Sequence, residues 1–289
     1  MRTTLVTSRA NPRVKQLRAA FGGNAKLSGG LVAIEGEHLL QEAMRSGLVF
    51  KTIFLSSRRD APEWIPGNVE RIELSEEVFA SVVDTRSPQG IAALLVPPVW
   101  SMGDACPPSV AGGKMPLLLI AAGVQDPGNL GTLIRSAEAF GATGVLTTAG
   151  TVNEWNQKAL RASAGSVFRV PVVEAGVAEL MALKARGVRM FAAVTAESES
   201  NSVAACAGGG SVSAADADLV SACALMIGNE GAGLTPELLQ ISDARISIPM
   251  PGPVESLNAA VAGSLLLYEA SRQREAAQLH AASQPTTSN

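Results

Sequence analysis

The sequence predicts an α/β protein of two domains, in which a small α/β domain precedes a larger domain built on a mostly parallel sheet. The chain has 289 residues, 47% of them hydrophobic, so it can bury a substantial core. Residues 31–96 alternate between short apolar runs and runs with helical periodicity. The same alternation begins again at Leu117, after a stretch rich in proline. Strands separated by helices are typical of a parallel sheet covered on both faces.

The first domain is predicted over residues 1–97. Short apolar runs predict strands at 31–35, 50–56, 69–74 and 90–96. Two helices are expected between them, one over 36–47 that ends at Gly47 and one over 75–83 that Ser75 caps. Residues 98–116 lack an apolar period and are rich in proline and small residues, so they are expected to form a linker.

The second domain is predicted over residues 117–278. Strands are expected at 117–125, 143–148, 188–195, in the apolar run before Gly228, and from Ile248 onward. Helices are expected at 129–141, 153–165, 177–187 and 256–278. Residues 196–221 are low in complexity and predict a surface insertion that need not be ordered. Residues 279–289 are expected to be a disordered tail.

The net charge of −3 hides a basic N-terminus. Residues 1–26 contain six basic side chains and no acidic one, so their local charge is +6. Asn11 is a good helix cap and Pro12 a good first helical residue, and together they predict one short basic helix. We interpret the basic residues as contacts for a polyanion such as RNA, although a merely solvated helix is the alternative. The candidates are Arg9, Arg13, Lys15 and Arg18.

Composition also bears on the cellular location of the protein and on which catalytic groups and metal sites it can contain. No apolar run reaches the ~18 residues that a membrane span needs, and the N-terminus does not resemble a secretory signal, so we expect a cytoplasmic protein with no membrane partner. The three cysteines, Cys106, Cys206 and Cys223, lack metal-like spacing and are expected to act as small hydrophobes, with no metal required. The two histidines lie in the first domain and in the tail, which disfavours a histidine general base.

Three loops of the second domain carry polar residues where strands give way to helices: 125–142, 227–234 and 248–258. Ligands of open α/β sheets bind outside the carboxyl ends of the strands, so these loops are expected to converge. The glycines of "GNEGAGL" follow the order G-x-x-G-x-G, the reverse of the dinucleotide fingerprint, which disfavours a nicotinamide oxidoreductase. Arg135 lies in an otherwise apolar helix and should have an anionic ligand or an ion pair with Glu138, and spacing leaves both open.

The three loops taken together identify a family. "PGNLGTLIRSAEAFGA", "LMIGNEGAGL" and "IPMPGPVESLNAAVAGSLLLYEA" closely resemble the signature motifs of the SpoU (TrmH-like) RNA ribose 2'-O-methyltransferases. In the first domain, "TSRANPRVKQLR", "AIEGEHLLQEAMRSG" and "VDTRSPQGIAALL" resemble the RNA-substrate-binding domain of members that modify ribosomal RNA. The resemblance implies a deep C-terminal trefoil knot, an L30e-like first domain, and S-adenosylmethionine as the cofactor.

The resemblance also implies roles for residues. Cofactor contacts are expected from Gly228, Ile248 and Leu257, with Met250 and Thr195 as weaker candidates. Arg135 matches the catalytic arginine, which orients the hydroxyl or its phosphate and stabilises the alkoxide while a phosphate oxygen or water takes the proton. The polar residues expected around it are Asn129, Glu230, Ser256 and Asn258. Glu230 is the alternative base if burial raises its pKa.

The predicted function is methyl transfer to a ribose 2'-hydroxyl of structured RNA, with 23S ribosomal RNA favoured. A transfer RNA methyltransferase and a non-catalytic RNA-binding relative are the alternatives. A homodimer through the catalytic domain is expected from the resemblance and from the small-residue face of residues 256–270. Its small residues, Ala259, Ala260, Ala262 and Gly263, would serve packing within one subunit equally well.

Overall fold

The computed structural model describes residues 5–23, 25–83, 85, 87–108, 115–194 and 211–283. These residues divide into two compact units. Unit 1 is the described part of Met1–Val99 together with Asn153–Arg169. Unit 2 is the described part of Trp100–Val152 and Val170–Asn289.

Unit 1 contains a five-stranded mixed sheet with the order β1-β4-β3-β5-β2. Its strands are β1 (Leu5–Val6), β2 (Val32–Glu35), β3 (Phe50–Ser56), β4 (Glu70–Leu74) and β5 (Ile91–Leu95). β4 pairs in parallel with β1 and β3, whereas β5 pairs antiparallel with β2 and β3. The four predicted strands are confirmed. The two-residue β1 is too short for an apolar period and is not predicted.

The helices of unit 1 are α1 (Pro12–Phe21), α2 (Ala25–Ser28), α3 (Glu37–Arg45), α4 (Glu76–Ala80) and α7 (Gln157–Ser163). The predicted start of α1 is confirmed, because the Asn11 side chain accepts a hydrogen bond from the Arg13 N–H at 2.8 Å and Pro12 is the first helical residue. Val14 and Leu17 on its inner face are fully buried. Its basic residues therefore lie on the outer face.

The segment 153–169 belongs to unit 1, although the chain immediately before it and after it belongs to unit 2. The predicted helix 153–165 is shorter in the structure, because α7 begins after Asn156 and ends where Ala164 and Gly165 adopt left-handed conformations. A 3₁₀ helix, Ser166–Phe168, follows. The buried Gln157 amide donates to the carbonyl of Ala33 at 2.8 Å, which ties this segment to β2.

Unit 2 contains a seven-stranded sheet with the order β10-β12-β9-β11-β6-β7-β8, and every neighbouring pair is parallel. Its strands are β6 (Leu117–Ala121), β7 (Gly144–Thr147), β8 (Val172–Glu174), β9 (Arg189–Ala193), β10 (Ser211–Ser213), β11 (Cys223–Ile227) and β12 (Ala244–Ser247). All residues of β6 and β11 are buried, as expected for central strands of a parallel sheet. The predicted α/β class with a parallel sheet is confirmed.

The helices of unit 2 are α5 (Met102–Ala105), α6 (Pro127–Ala139), α8 (Val177–Ala185), α9 (Pro236–Ile241) and α10 (Ala259–Ser283). α10 packs closely against α6. A Cβ on Gly263 would lie 2.4 Å from the Leu133 Cδ2 atom, and the hydroxyls of Ser136 and Ser264 are 2.7 Å apart. A side chain at position 263 would therefore displace the buried side chain of Leu133, so Gly263 serves packing inside the subunit.

Two expectations for irregular segments are wrong in part. Within the predicted linker 98–116, Ser101 and Asp104 form a capping box that starts α5, and Cys106 behind it is buried. Within the predicted insertion 196–221, β10 pairs with β12 and Leu219 is fully buried. Low complexity hid these elements because α5 buries only one residue of its own, Ala105, and every residue of β10 is only partly buried. Residues 109–114 and 195–210 lie outside the described residues.

The boundaries near the C-terminus also differ from prediction. The strand expected from Ile248 onward is wrong in its bounds: the strand of this region is β12, which ends at Ser247, because the prolines that follow cannot continue a parallel ladder. The helix expected to end near residue 278 continues to Ser283, so the predicted tail 279–289 is helical over its first part. Residues 284–289 lie outside the described residues. The additional helical residues are mostly exposed, which left no apolar period to predict them.

The described cysteines behave as predicted. Cys106 and Cys223 are buried, and burial raises the pKa of both thiols above its ordinary value. Cys206 lies outside the described residues. Among the helices that the structure describes, none combines the length and apolar character that crossing a membrane requires.

Candidate active site

The parallel sheet of unit 2 places the three polar loops at one edge. β11 pairs with β6 on one side and with β9 on the other, and β9 pairs with β12. The carboxyl ends of these four strands are therefore successive neighbours, spaced by roughly 5 Å each. Residues 122–126, 228–234 and 248–258 follow β6, β11 and β12. The predicted convergence of the loops is confirmed.

A chain of side-chain hydrogen bonds joins these loops through Asn129. The amide nitrogen of Asn129 donates to a carboxylate oxygen of Glu230 at 2.8 Å, and its amide oxygen accepts from the Asn258 side chain at 3.1 Å. Asp126 caps α6 and fixes the backbone of Asn129 with a 2.9 Å bond. Three of the four predicted polar residues are thus brought into direct contact.

The carboxylate of Glu230 is held in its charged form. Burial raises its pKa, but the hydrogen bonds from the Asn129 amide and from backbone N–H groups together outweigh burial, so the pKa lies below the ordinary value of a glutamate. The condition for Glu230 to act as the base, a pKa raised by burial, is therefore not met. Its position instead suits a carboxylate that orients the amide of Asn129.

Arg135 lies nearly two turns beyond Asn129 on α6, and its side chain is exposed. The ion pair considered with Glu138 does not form, since no ion pair or hydrogen bond of Arg135 occurs within the ranges that the structure describes. Because the side chain is exposed, the positive charge carries little desolvation cost. The guanidinium is therefore available to an external anion, but it is not part of the hydrogen-bond chain through Asn129.

Asn229 organises the glycine-rich loop 228–234. Its backbone forms a two-way bridge with Gly233, with both N···O distances 3.0 Å. Its side-chain oxygen accepts from the N–H groups of Gly231 and Ala232 at 2.9 Å each, and its side-chain nitrogen donates to the carbonyl of Gly123 at 2.8 Å. Asn229 is not among the residues for which the family resemblance implies a role. An asparagine beside glycines is the available signal, because its amide readily bonds backbone groups in turns.

Gly228 faces the same loop. A Cβ at this position would lie 2.4 Å from the carbonyl carbon of Gly233 and 2.6 Å from the nitrogen of Leu234. Position 228 therefore has no room for a side chain, because the backbone of Gly233 and Leu234 in the same loop lies too close. The atoms closest to Gly228 are thus protein backbone, and the cofactor contact expected at Gly228 stays a prediction.

The remaining predicted site residues lie along the segment after β12. Ile248, Met250 and Leu257 are each partly buried, so they keep apolar surface at this edge of the sheet. Ser256 is exposed, and no hydrogen bond of its side chain occurs among the described residues. Thr195 lies outside the described residues. These three partly buried apolar residues, Ile248, Met250 and Leu257, are called the apolar strip below, and they lie in the same segment after β12 as Asn258 of the polar network.

Two protein-family models match this chain. The model of the SpoU rRNA methylase family matches residues 116–268, and the model of the MRM3-like substrate binding domain matches residues 11–93. The first match covers more than half of the chain. The protein belongs to the SpoU rRNA methylase family. The predicted class, an S-adenosylmethionine-dependent RNA ribose methyltransferase, is confirmed.

Relatives of this SpoU methylase extend over nearly its whole length. It is 34% identical over 264 residues to the 23S rRNA (guanosine(2553)-2'-O)-methyltransferase RlmP of Bacillus subtilis, covering 91% of this chain and 97% of the relative. The AdoMet complex of the SpoU methyltransferase AviRb of Streptomyces viridochromogenes has a TM-score of 0.77 at 26% identity, covering 92% of this chain and 98% of AviRb. The AdoMet-bound rRNA methyltransferase of Sinorhizobium meliloti has a TM-score of 0.75 at 28% identity, covering 94% and 98%.

The cofactor of the SpoU methylase fits the residues of this edge. Adenine is a flat, largely apolar ring with polar edges, and it suits an apolar slot bordered by backbone groups. The partly buried side chains of Ile248, Met250 and Leu257 supply apolar surface after β12, and loop 228–234 supplies tightly packed backbone after β11.

The basic helix α1 lies in the part of the SpoU methylase that matches the substrate binding domain. Arg9, Lys15 and Arg18 are exposed. Arg18 donates to the Ser81 hydroxyl at 3.3 Å, and Arg13 forms an ion pair with Glu70 at 3.0 Å. Arg13 is thus partly neutralised, so the positive field of this region rests mainly on Lys15 and Arg18 of α1 and on Arg9 just before it.

Proposed function

We propose that this protein transfers the methyl group of S-adenosylmethionine to a ribose 2'-hydroxyl of 23S ribosomal RNA. The observation that carries the proposal is the hydrogen-bond chain from Asn258 through Asn129 to Glu230, which unites the three motif loops at one edge of the sheet. RlmP, a relative at 34% identity over nearly the whole chain, acts on 23S ribosomal RNA. The SpoU family match and the apolar strip support the choice of cofactor.

The reaction is an in-line displacement at the methyl carbon. The bond from the 2'-oxygen to the methyl carbon forms while the bond from sulfur to that carbon breaks, and S-adenosylhomocysteine leaves. The proton of the hydroxyl passes to water or to a phosphate oxygen of the RNA. We assign no proton transfer to Glu230, because its lowered pKa makes it a weak acceptor.

Arg135 supplies the positive charge of this mechanism. Its guanidinium cannot accept a proton, but it can bind the phosphate next to the target ribose and stabilise the developing alkoxide. The exposed position and the missing ion pair among the described residues support this role. Asn129 and Asn258 hold the loops that frame the hydroxyl, and the exposed Ser256 is proposed to contact RNA.

Cofactor binding is assigned to the apolar strip and the glycine loop. We propose that Gly228, Ile248 and Leu257 line the adenosyl group, with Met250 and Thr195 as weaker candidates for contact. The sequence resemblance further supports a deep trefoil knot in the catalytic domain, 117–278, and an L30e-like fold for the first domain, 1–97. A crystal structure with S-adenosylhomocysteine would test the contacts and the knot together.

Unit 1 is proposed to bind the RNA through Arg9, Arg13, Lys15 and Arg18. The match to a substrate binding domain over residues 11–93 supports this assignment. Ribosomal RNA of the cytoplasm is the proposed substrate, and the membrane and metal ions have no proposed role.

Replacing Arg135 tests the proposed function. Arg135→Ala should lower the single-turnover methylation rate by at least about 100-fold, the effect of removing one electrostatic contact to a developing anion. Affinity for S-adenosylhomocysteine, measured by calorimetry, should stay within about threefold, because the side chain is assigned to the RNA. Arg161→Ala, at another exposed arginine, is the matched control. Equal losses of cofactor affinity and rate in the Arg135 variant would contradict the assignment.

Mapping of 2'-O-methyl groups would identify the substrate. RNA from cells with and without the gene should differ at one or a few sites of 23S ribosomal RNA. A difference confined to transfer RNA would favour the alternative substrate. Unchanged methylation, with RNA binding retained, would favour a non-catalytic relative.

A homodimer through the catalytic domain is also proposed, but on a different surface from the small residues first considered. Gly263 and Ala260 are buried inside the subunit. Val261, Leu265 and Tyr268 are 47%, 42% and 53% exposed and follow one another at helical spacing along α10. An exposed apolar stripe of this kind favours association of two copies of the chain.

Sedimentation at micromolar concentration should show twice the chain mass. Leu265→Glu should give a monomer, since it places a charge in the stripe, whereas Glu275→Gln on the same helix should leave the mass unchanged. A wild-type monomer would contradict the proposal.

A further inference from the structure

An open groove of about 910 Å³ lies in unit 1 beside α1. α1 forms one side, and Leu27 of α2 contributes to the lining. The lining residues are Asn11, Pro12, Arg13, Lys15, Gln16, Arg18, Ala19 and Leu27. The groove lies in the unit that matches the substrate binding domain and contains none of the motif residues of the methyl-transfer site.

The lining combines two kinds of surface. Pro12, Ala19 and Leu27 are apolar, and Leu27 is 68% exposed although it is a large hydrophobic residue. Lys15 and Arg18 supply positive charge, and the groove has no acidic lining residue. A purely electrostatic contact with an RNA backbone would use the basic residues alone and would leave the leucine without a function.

The two uncharged polar side chains of the lining, Asn11 and Gln16, already form hydrogen bonds within the protein, and Asn11 accepts from the Arg13 N–H at 2.8 Å. The Gln16 side-chain nitrogen donates to the carbonyl of Ser28 at 3.0 Å, which connects α1 to α2. Gln16 also accepts a weak bond from Arg13 at 3.4 Å. Because these bonds fix Gln16, the groove offers mainly apolar contact and positive charge, and little hydrogen bonding that would read a particular base.

We propose that this groove binds an unpaired nucleotide of the ribosomal RNA, with the base against Pro12, Ala19 and Leu27 and its phosphates against Lys15 and Arg18. The inference rests on the proposed function, which supplies RNA as the ligand. A base inside a duplex is stacked on both faces and cannot reach Leu27, whereas an unpaired base exposes a face. Contact through that face is tolerant of sequence. The groove therefore distinguishes single-stranded from duplex RNA.

The proposal is tested with the full chain and two RNA probes. One is a single strand of about ten nucleotides, within the span of typical single-strand sites, and the other is the same strand annealed to its complement. The variants are Leu27→Ala, Lys15→Gln and, as a matched control, Val49→Ala. Val49 is an exposed apolar residue of the same unit, 56% exposed, that does not line the groove. Binding is measured at several salt concentrations.

Leu27→Ala should weaken binding of the single strand about fivefold, the order expected from losing a few apolar carbons at a contact. Its affinity for the duplex and its salt dependence should not change. Lys15→Gln should weaken binding of both probes and lower the salt slope by about 0.7 for the single strand. Val49→Ala should behave as the wild type.

Equal effects of Leu27→Ala on both probes, or no effect on either, would overturn the groove assignment. Circular dichroism of each variant checks that unit 1 is folded, and Leu27→Met, which keeps an apolar side chain, should restore single-strand binding. Methyl transfer to 23S ribosomal RNA is measured with the wild type in parallel. If the wild type does not methylate RNA, the proposed function fails, whereas the oligonucleotide result still decides the groove.

Discussion

The two glycine-containing loops of the proposed methyl-transfer site are built in opposite ways. Loop 228–234 is closed by a backbone bridge, and the Asn229 side chain adds three further hydrogen bonds. Segment 251–256 after β12 is exposed at every residue. Both contain glycine and both follow strands at the same edge of the sheet. Composition alone does not separate a fixed loop from an open one.

The glycines show the difference most clearly. A Cβ on Gly228 would collide with the backbone of Gly233 at 2.4 Å, whereas a Cβ on Gly252 would meet no atom within 4 Å. The fixed loop is suited to hold a cofactor in one geometry, because its groups lose little freedom on binding. The open segment leaves room for a ligand to approach. The predictions below test this contrast.

Gly228→Ala should have the largest effect. The added methyl group forces the backbone of residues 233 and 234 to move, and overpacking of this kind weakens the affected state by up to about 100-fold. We expect that loss in the affinity for S-adenosylhomocysteine, measured by calorimetry. RNA binding through unit 1, measured by filter retention, should be unchanged.

The Gly228 variant also needs a stability measurement, because the loop can be distorted without contact to the cofactor. A thermal midpoint close to that of the wild type, together with the lost affinity, would show a local change. Wild-type affinity for S-adenosylhomocysteine in a folded Gly228→Ala variant would refute the fixed-loop description.

Asn229→Ala should have the next largest effect. It removes three hydrogen bonds of an exposed loop, two to N–H groups and one to a carbonyl, and water replaces part of them. Affinity for S-adenosylhomocysteine should fall about tenfold. In Asn153→Ala, which removes a similar 2.8 Å turn bond to the Trp155 N–H in unit 1, the affinity should be unchanged. An equal loss of affinity for S-adenosylhomocysteine in both variants would show that the substitutions act through the stability of the protein and not through the loop.

The contrast between these loops shows what could be predicted from sequence. Strand and helix periods predicted the parallel sheet, and strand ends predicted that the three loops would meet, whereas Asn129, Glu230 and Asn258 were predicted as site residues from the family resemblance. The collision at Gly228 and the bonds of Asn229 depend on the path of the backbone, which a single sequence does not encode in any local period. Likewise β10 and α5 are stabilised by partners distant in sequence. The grouping of residues 153–169 with unit 1 depends on long-range contacts such as that of Gln157 with Ala33.

Glu230→Gln should have a smaller effect. Since the pKa of Glu230 is lowered in the folded protein, its bond with Asn129 is fully present above the ordinary glutamate pKa and is lost as the pH falls through the lowered value. Between about pH 6 and about pH 9 the carboxylate stays charged. We expect a rate loss of a few fold at most and the same pH profile in both proteins. A limb of the pH–rate profile that disappears in the Gln variant would identify Glu230 as a base.

Gly252→Ala should have the smallest effect. The backbone there is outside the left-handed region, and the new methyl group meets no neighbour within 4 Å, so the folded protein accommodates it without strain. Affinity for S-adenosylhomocysteine and the methylation rate should stay within about twofold of the wild type, as for an unstrained surface substitution. Gly228→Ala introduces the same methyl group. A difference between the Gly228 and Gly252 variants therefore comes from the position of the residue and not from the added group. A loss at Gly252 as large as that at Gly228 would mean that segment 251–256 closes tightly around the bound cofactor, and the contrast between a fixed and an open loop would then apply only to the unliganded protein.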